Sequence, residues 1–522
     1  MRYRITQVKI DPGQGWAQLE AAAKKRIAKA LHCPAGDVEI GGMQIVRESI
    51  DARKKPAVKM VYTVDVDYDR ELPFEEAVSK AYAPIVPAGY FRSMADGTRP
   101  IIAGFGPCGI FAALILAEAG LAPIVLERGK PVEQRMADVD SFRSGARTAP
   151  DPESNVQFGE GGAGTFSDGK LTTGIRDVRI RKVLEEFVAA GADDEILFKN
   201  KPHIGTDRLQ IIVKRLREHI EELGGEIRFG KRLDGIETEN TDGQQRLRAI
   251  HVRDNLTGQM ETIPAETLIL ATGHSARDTF GMLLEAGMEM EKKPFSIGVR
   301  IEHPQKLIDE AQYGDARLAK IIGAADYKLS HKCENGRGVY TFCMCPGGEI
   351  INASTEPQTQ VTNGMSNSAR DGAYANSGLL VDVRTDDVGE GPLAGVEFQR
   401  RYERLAWENR AESTYGGFRA HADDPVRRSL PAFASASILE AMPHFGRKIR
   451  GFDGEDARMV AVESRSSSPV RIRRDSRMQS SIVGILPAGE GPGYAGGIMS
   501  AAVDGIRAAE QVIKDTIEKG ER

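Results

Sequence analysis

Ile101-Ile102-Ala103 runs straight into Gly104-Phe105-Gly106-Pro107-Cys108-Gly109, and a second apolar stretch, Ile124-Val125-Leu126, ends in Glu127. Few folds accept that order of strand, glycine turn, apolar helix and acid-tipped strand; it suits a β-α-β unit that seats a dinucleotide. Each piece has a mechanical reason. Gly104 permits the tight turn, Gly106 lets backbone approach a pyrophosphate, and Gly109 with Ala113 allows the helix to lie close to the strand. Pro107 and Cys108 complete the turn, and the helix start offers unpaired N–H groups and a positive dipole end to phosphate charge. Glu127 stands 23 residues after Gly104, where it can accept hydrogen bonds from an adenosine ribose, with Arg128 beside it. The competing reading is a coincidental glycine turn. Strand, helix and acid in register weigh against it.

Composition supports the same direction. Glycine makes up 56 of 522 residues, against a usual share of about 7%. No Gly-X-Y period is present, so collagen-like structure is excluded. Segments 104–120, 159–174 and 484–505 hold 17 of those glycines, well above their share. The formal net charge is −5, which makes no chain-wide case for nucleic acid or an anionic membrane. Five cysteines, an odd number, suit reduced thiols rather than a disulfide scaffold. The uncharged run from Pro100 to Ala117 is broken by its glycine turn, and no apolar core of signal-peptide length follows Met1. The expectation is a cytoplasmic protein with no membrane segment.

Four regions are predicted. Residues 1–92 form a small α+β, split βαβ-like unit: a strand near Tyr3–Ile10, a helix Trp16–Leu31, strands Met43–Ile50 and Val58–Tyr68, and a short helix Phe74–Tyr82. Residues 97–290 and 456–522 make the two parts of an α/β, Rossmann-like domain, interrupted by a strand-rich substrate or cap domain over 291–455. Within the α/β part, helical spacing capped at Thr206-Asp207 runs to Leu223, with strands at Glu226–Phe229, Leu247–Val252, Thr267–Ala271 and Ile482–Pro487. Residues 1–60 hold twelve Lys/Arg and six Asp/Glu, but no aromatic-rich binding signature accompanies that charge. A solvated surface is the favoured reading, and an RNA-binding unit is the alternative.

NAD and FAD both use a turn like 104–109, so the rest of the chain must choose. Thr267-Leu-Ile-Leu-Ala271-Thr272-Gly273 is an apolar strand ending in a small-residue turn. Ile485-Leu-Pro-Ala-Gly489-Glu490-Gly491, followed by Gly493, Gly496, Gly497 and Ile498, opens a helix. A third loop, Gly159-Glu-Gly161-Gly162-Ala163-Gly164-Thr165-Phe-Ser-Asp-Gly169-Lys170, lies between them. This set resembles the two-domain FAD flavoproteins of the glutathione-reductase-like superfamily. The resemblance implies non-covalent FAD. The first loop would take the ADP half, Ala271–Gly273 would support it, and Gly489–Ile498 would meet the ribityl chain and flavin. Glu490 would take the place of the usual Asp, one methylene longer. Residues 161–165 would lie against the isoalloxazine, where side chains would clash; a flexible surface loop is the other reading. Ser49–Lys55, Phe342–Gly348 and Glu463–Arg471 extend the likeness to a family of uncharacterised bacterial FAD-dependent dehydrogenases, whose substrate is unnamed.

No second Gly-x-Gly-x-x-Gly with strand and helix around it is present, so NAD(P)H is expected only as a transient reductant. The reading is an FAD-dependent oxidoreductase that moves a hydride between a small organic substrate and flavin N5. An RNA-acting flavoenzyme and a non-catalytic binding protein are its rivals. Arg300, Arg465, Arg471, Arg473, Arg474 and Lys170 are candidates to clamp an anionic substrate, or else to pair with acids such as Glu302 and Glu463. Alternation over Tyr340–Cys345 would put Cys343 and Cys345 on one strand face. Plain structural thiols are favoured there over a redox pair, and both over a metal site recruiting nearby His331 and Cys333, because Cys-x-Cys is tighter than normal zinc spacing; no metal is assigned. No general base and no oligomeric state follow from spacing.

Overall fold

The computed structural model describes residues 1–78, 81–92 and 99–520. Its fold is mixed α/β: a Rossmann-like unit, a strand-rich region and a small N-terminal α+β segment.

The N-terminal segment is a four-stranded antiparallel sheet in the order Gly42–Asp51, Lys59–Asp67, Arg2–Ile10, Glu75–Glu76. Met60, Tyr62, Val64 and Val66 all face one core, which the helix Trp16–Leu31 closes with Leu19, Ala23 and Ile27. The helix expected over Phe74–Tyr82 does not form where described. Glu75 and Glu76 instead extend the sheet beside Arg4 and Tyr3, and residues 79–80 lie outside the described part. Two adjacent acids are poor evidence for either state, and the free edge of the first strand decided it. The predicted domain start at residue 97 also lies outside the described residues. Much of the basic excess is paired, for example Arg4 with Asp65 and Lys9 with Asp51.

Five parallel strands form the central sheet, in the order Ile485–Pro487, Leu268–Leu270, Ile101–Ala103, Ile124–Glu127, Glu226–Phe229. Period-two alternation splits its side chains between two cores. Ile102, Val125, Ile269 and Leu486 pack beneath helices Pro107–Ala119, Arg179–Ala189, Thr206–Glu222 and Ile498–Gly520. Ile101, Ala103, Leu268 and Leu270 face a three-stranded meander, Lys231–Thr241, Gln244–Asp254 and Met260–Pro264, together with the helix Arg277–Glu285. Two of the meander strands escape a periodicity reading: Lys231–Thr241 is largely polar and half-buried, and Met260–Pro264 is mostly exposed. Thr206 is helical rather than capping: Gly205 precedes the helix, and the Thr206 hydroxyl donates to the Thr165 carbonyl at 2.7 Å.

Besides two small two-stranded sheets, a further sheet is antiparallel and six-stranded, in the order Ser330–Lys332, Gly338–Cys345, Tyr374–Val383, Phe295–Pro304, Arg458–Glu463, Glu412–Thr414. Its strand Arg458–Glu463 comes from beyond residue 455, where sequence had put the return to the α/β unit. Helices Ala394–Asn409 and Ala432–Lys448 pack here as well, so the region carries more helix than its sequence suggests. Pro443 inside the second helix reads as punctuation. Burial of Ala434, Ile438, Met442 and Phe445 against the sheet overrides it.

Candidate functional site

The C-terminal ends of the parallel strands open onto a cavity of about 740 Å³. Gly104, Gly106, Pro107, Cys108, Glu127, Arg128, Gly162, Ala163, Gly164, Ala271, Thr272, Gly273, Glu490, Gly496, Gly497 and Ile498 line it. Four of the sequence-predicted residues do not. Gly109, Gly161, Thr165 and Gly489 sit behind the wall, and each has a packing reason to be there. A Cβ on Gly109 would stand 1.9 Å from the Gly104 carbonyl oxygen. The Gly161 N–H donates to the Phe105 carbonyl, joining the two glycine loops. The Thr165 hydroxyl donates to the Glu160 carbonyl at 3.2 Å, and the Gly489 N–H donates to Asp504 at 2.8 Å.

Gly104 has φ +101°, and a Cβ there would meet the Ala271 carbonyl oxygen at 2.4 Å. Gly106 differs. Its φ is −81°, and a Cβ would meet only the Gly162 Cα, at 3.7 Å, an ordinary contact. The fold therefore explains glycine at 104 and 109 but not at 106. At the tip of the next strand, Glu127 accepts N–H groups from Phe105, Gly129 and Gly159 at 2.8, 2.9 and 3.0 Å. A carboxylate offers about four acceptor positions, so about one is left for a ribose hydroxyl. Arg128 lies over the Phe158 ring and is tied to Glu153 and Asp278.

The loop Gly159–Lys170 is held, not floppy. Its organiser is Arg135, which motif reading missed. Fully buried, the guanidinium donates five hydrogen bonds to the carbonyls of Asn155, Val156, Gly159, Glu160 and Gly162. Burial lowers Arg135 to about 10, well above neutrality, so the charge is retained. Farther along the loop, Asp168 accepts from Lys170 and Arg370. Burial works against its charge, yet those two cations hold it at about 2.

On the opposite wall, burial and then the charges of Arg465 and Arg277 pull His274 down to about 3, leaving a neutral imidazole. Its Nε2 lies 3.9 Å from Glu490. Burial pushes the Glu490 carboxyl up to about 7, against the pull of Lys293. His274 was not anticipated; its only local signal is adjacency to the Ala-Thr-Gly turn.

The candidate arginines are committed to partners in this structure. Arg300, wholly buried, makes a two-pronged pair with Glu463 at 2.6 and 3.0 Å. Arg465 pairs with Glu403, which Arg277 also grips, and still borders the cavity. Arg473 and Arg474 pair with Glu291 and Asp504, and Arg471 donates to the Gly493 carbonyl. The two cysteines of the Cys-Met-Cys run do not share a face. A bulge between Phe342 and Cys345, with Cys343 at φ +42°, leaves Cys343 exposed and Cys345 buried beneath Arg300, both at the border of the cavity. The extra residue in the bulged strand cancels the alternation.

Residues 294–423 match the family described as "FAD-dependent protein, C-terminal domain-like", and residues 2–67 match a domain of unknown function. An "Uncharacterized protein" of Clostridium beijerinckii is 42% identical over 545 residues, spanning 98% of this chain and 99% of its own. Similar solved structures include a geranylgeranyl bacteriochlorophyll reductase-like protein of Thermoplasma acidophilum, 13% identical, TM-score 0.37, covering 80% of this chain and 78% of that one. Another is the Bacillus halodurans glycerol-3-phosphate dehydrogenase complexed with FAD, 11% identical, TM-score 0.33, covering 83% and 68%. Likeness at that level carries no argument about activity. No helix among the described residues is long and apolar enough to cross a membrane. At 42% identity over nearly its whole length, the chain belongs to the family of the clostridial protein, and its strand-rich region carries the match to the FAD-dependent C-terminal-like domain.

Proposed function

We propose that the cavity binds FAD non-covalently and that the protein is an FAD-dependent dehydrogenase acting on a small organic substrate. One observation carries the reading. Four turns distant in sequence border one cavity, and Gly106, which the fold does not need as glycine, stands where the turn following the first strand meets it.

In this reading the Gly104–Gly109 turn and the start of helix Pro107–Ala119 take the pyrophosphate. Glu127 takes a ribose hydroxyl with its remaining acceptor position. Residues 162–164, free of bulky side chains, would flank the isoalloxazine, and the start of helix Ile498–Gly520 would place its positive end at the flavin's pyrimidine edge. Bound there, FAD supplies hydride exchange at its N5. The chain's own part is orientation and water exclusion, with proton retention at the Glu490 carboxyl near neutral pH beside the neutral imidazole of His274. The cations at the cavity wall, Lys170 and Arg370 sharing the single acid Asp168, favour an anionic substrate. NADH or NADPH would act as a transient reductant, and five unbridged thiols suit the cytosol.

Purified protein should be yellow, bleach with dithionite, and release FAD on heat denaturation. Stopped-flow mixing with NADH and NADPH then reads whether nicotinamide reduces it. A colourless preparation that added FAD fails to reconstitute would sink the proposal.

A further inference from the structure

Away from the cavity, three side chains of different chemistry converge with no part in the reading above. His331 and Cys333 are two residues apart, on and just beyond the edge strand Ser330–Lys332, and so point to the same side. Glu440 faces them from the helix Ala432–Lys448. One ligand atom from each of the three lies within 4.8 Å of the others. Among the described residues this is the one such group.

We infer that His331, Cys333 and Glu440 form a structural site for a thiophilic divalent cation, Zn²⁺ by chemistry, that clips the edge strand to the helix.

The donor set selects the ion. A thiolate with an imidazole favours Zn²⁺ over Mg²⁺ or Ca²⁺, which take oxygen. Ligands about 2.0–2.3 Å from a tetrahedral Zn²⁺ stand about 3.3–3.8 Å apart, so closure needs a contraction of about 1 Å. Charge balances as well. The thiol loses its proton to solvent as the sulfur–metal bond forms, and thiolate plus carboxylate neutralise the dication. Water completes the fourth position on the open side, where His331 and Glu440 keep part of their surface.

The surroundings already orient the ligands. Glu440 accepts the Glu334 N–H at 2.9 Å, and its carboxylate lies 3.4 Å from the His331 Nε2. Cys333 is buried and opens a tight turn in which the Gly336 N–H donates to its carbonyl. The His444 ring, one helical turn beyond Glu440, stacks on His331 with centroids 3.7 Å apart and fixes its plane. Arg447 donates to the His444 Nδ1, so that ring is held too. Lys328, three residues before His331, lies at the cavity wall, so the clip would steady that lip.

The test uses the whole 522-residue chain, stripped with EDTA and titrated with Zn²⁺ by calorimetry, then with Co²⁺. Wild type should bind one Zn²⁺ per chain and give tetrahedral Co²⁺ bands in the red, beyond flavin absorption. Cys333→Ser, His331→Gln and Glu440→Gln should each lose that binding while retaining flavin content and far-UV circular dichroism. Cys33→Ser, in the N-terminal segment, should change nothing. Absence of Zn²⁺ binding to wild type, or equal binding by wild type and the Cys333→Ser and Glu440→Gln variants, overturns the assignment. Wild type that binds one Zn²⁺ but carries no flavin leaves the clip standing and counts against the FAD reading alone.

Discussion

At the scale of single residues, neighbouring glycines in one loop serve different ends. Gly109 is demanded by packing, since its Cβ would overlap the Gly104 carbonyl oxygen. Gly109→Ala should therefore cost the protein about 3 kcal/mol with or without flavin, an overpacking penalty. Gly106→Ala should leave the flavin-free protein within about 1 kcal/mol of wild type, because its φ suits any residue and its Cβ has room. Flavin affinity in that variant should nevertheless fall by at least about tenfold, equivalent to about 1.4 kcal/mol. Urea unfolding and the flavin-to-protein ratio read the two effects separately. Undiminished flavin retention by Gly106→Ala would displace the pyrophosphate from this turn. A motif reading treats the loop's glycines alike; only the neighbours of each missing Cβ separate them. Arg135 is the converse case. Nothing in Val132–Arg143 marks it, because its partners are main-chain carbonyls 20 to 27 residues away, and carbonyls leave no trace in sequence.

Among the elements, the glycine loop and the helix Val132–Arg143 meet through Glu160, which is wholly buried. Its Oε2 accepts the Val132 N–H at 2.7 Å, and its Oε1 has no hydrogen-bond partner among the described residues. Burial outweighs the nearby arginines and pushes the carboxyl up to about 7 from 4.5. The folded chain then holds this proton more tightly than the unfolded chain. Its contribution is present at low pH and is lost as pH rises from about 4.5 to about 7. Glu160→Gln removes that dependence and should raise stability at about pH 8 by on the order of 2 kcal/mol, with little change near pH 4. Equal pH slopes in wild type and variant would show that Glu160 ionises freely. The elements themselves were legible where burial imposes a period: Ile101–Ala103, Ile124–Glu127, Leu268–Leu270 and Trp16–Leu31 all lie where apolar spacing puts them. The strand Met260–Pro264 and the bulge at Cys343 were not. One is mostly exposed, and the other is a single extra residue that only its partner strand reveals.

Across the whole molecule, the N-terminal segment carries its own core, from Tyr3 to Leu72; it meets the central unit at Glu48 with Phe198 and Asn200, and the strand-rich region through Val58, Lys55 and Ile322. A fragment of residues 1–78 should accordingly fold alone, with a cooperative thermal transition and dispersed amide resonances. A non-cooperative melt would show that it depends on the rest of the chain. The sequence alone determined the parallel α/β core and the place of its glycine turn. Those features rest on local rules, period-two burial and glycine where a Cβ cannot fit, that act over a few residues. Tertiary structure decided the rest: that Arg300 and Arg465 are ion-paired, that Cys343 and Cys345 part company, and that His274 joins Glu490 at one wall. Glu403 reaches Arg465 across 62 positions, and Glu463 reaches Arg300 across 163. Pairings of that span depend on how sheets and helices close on one another, and no local pattern of residue types encodes them.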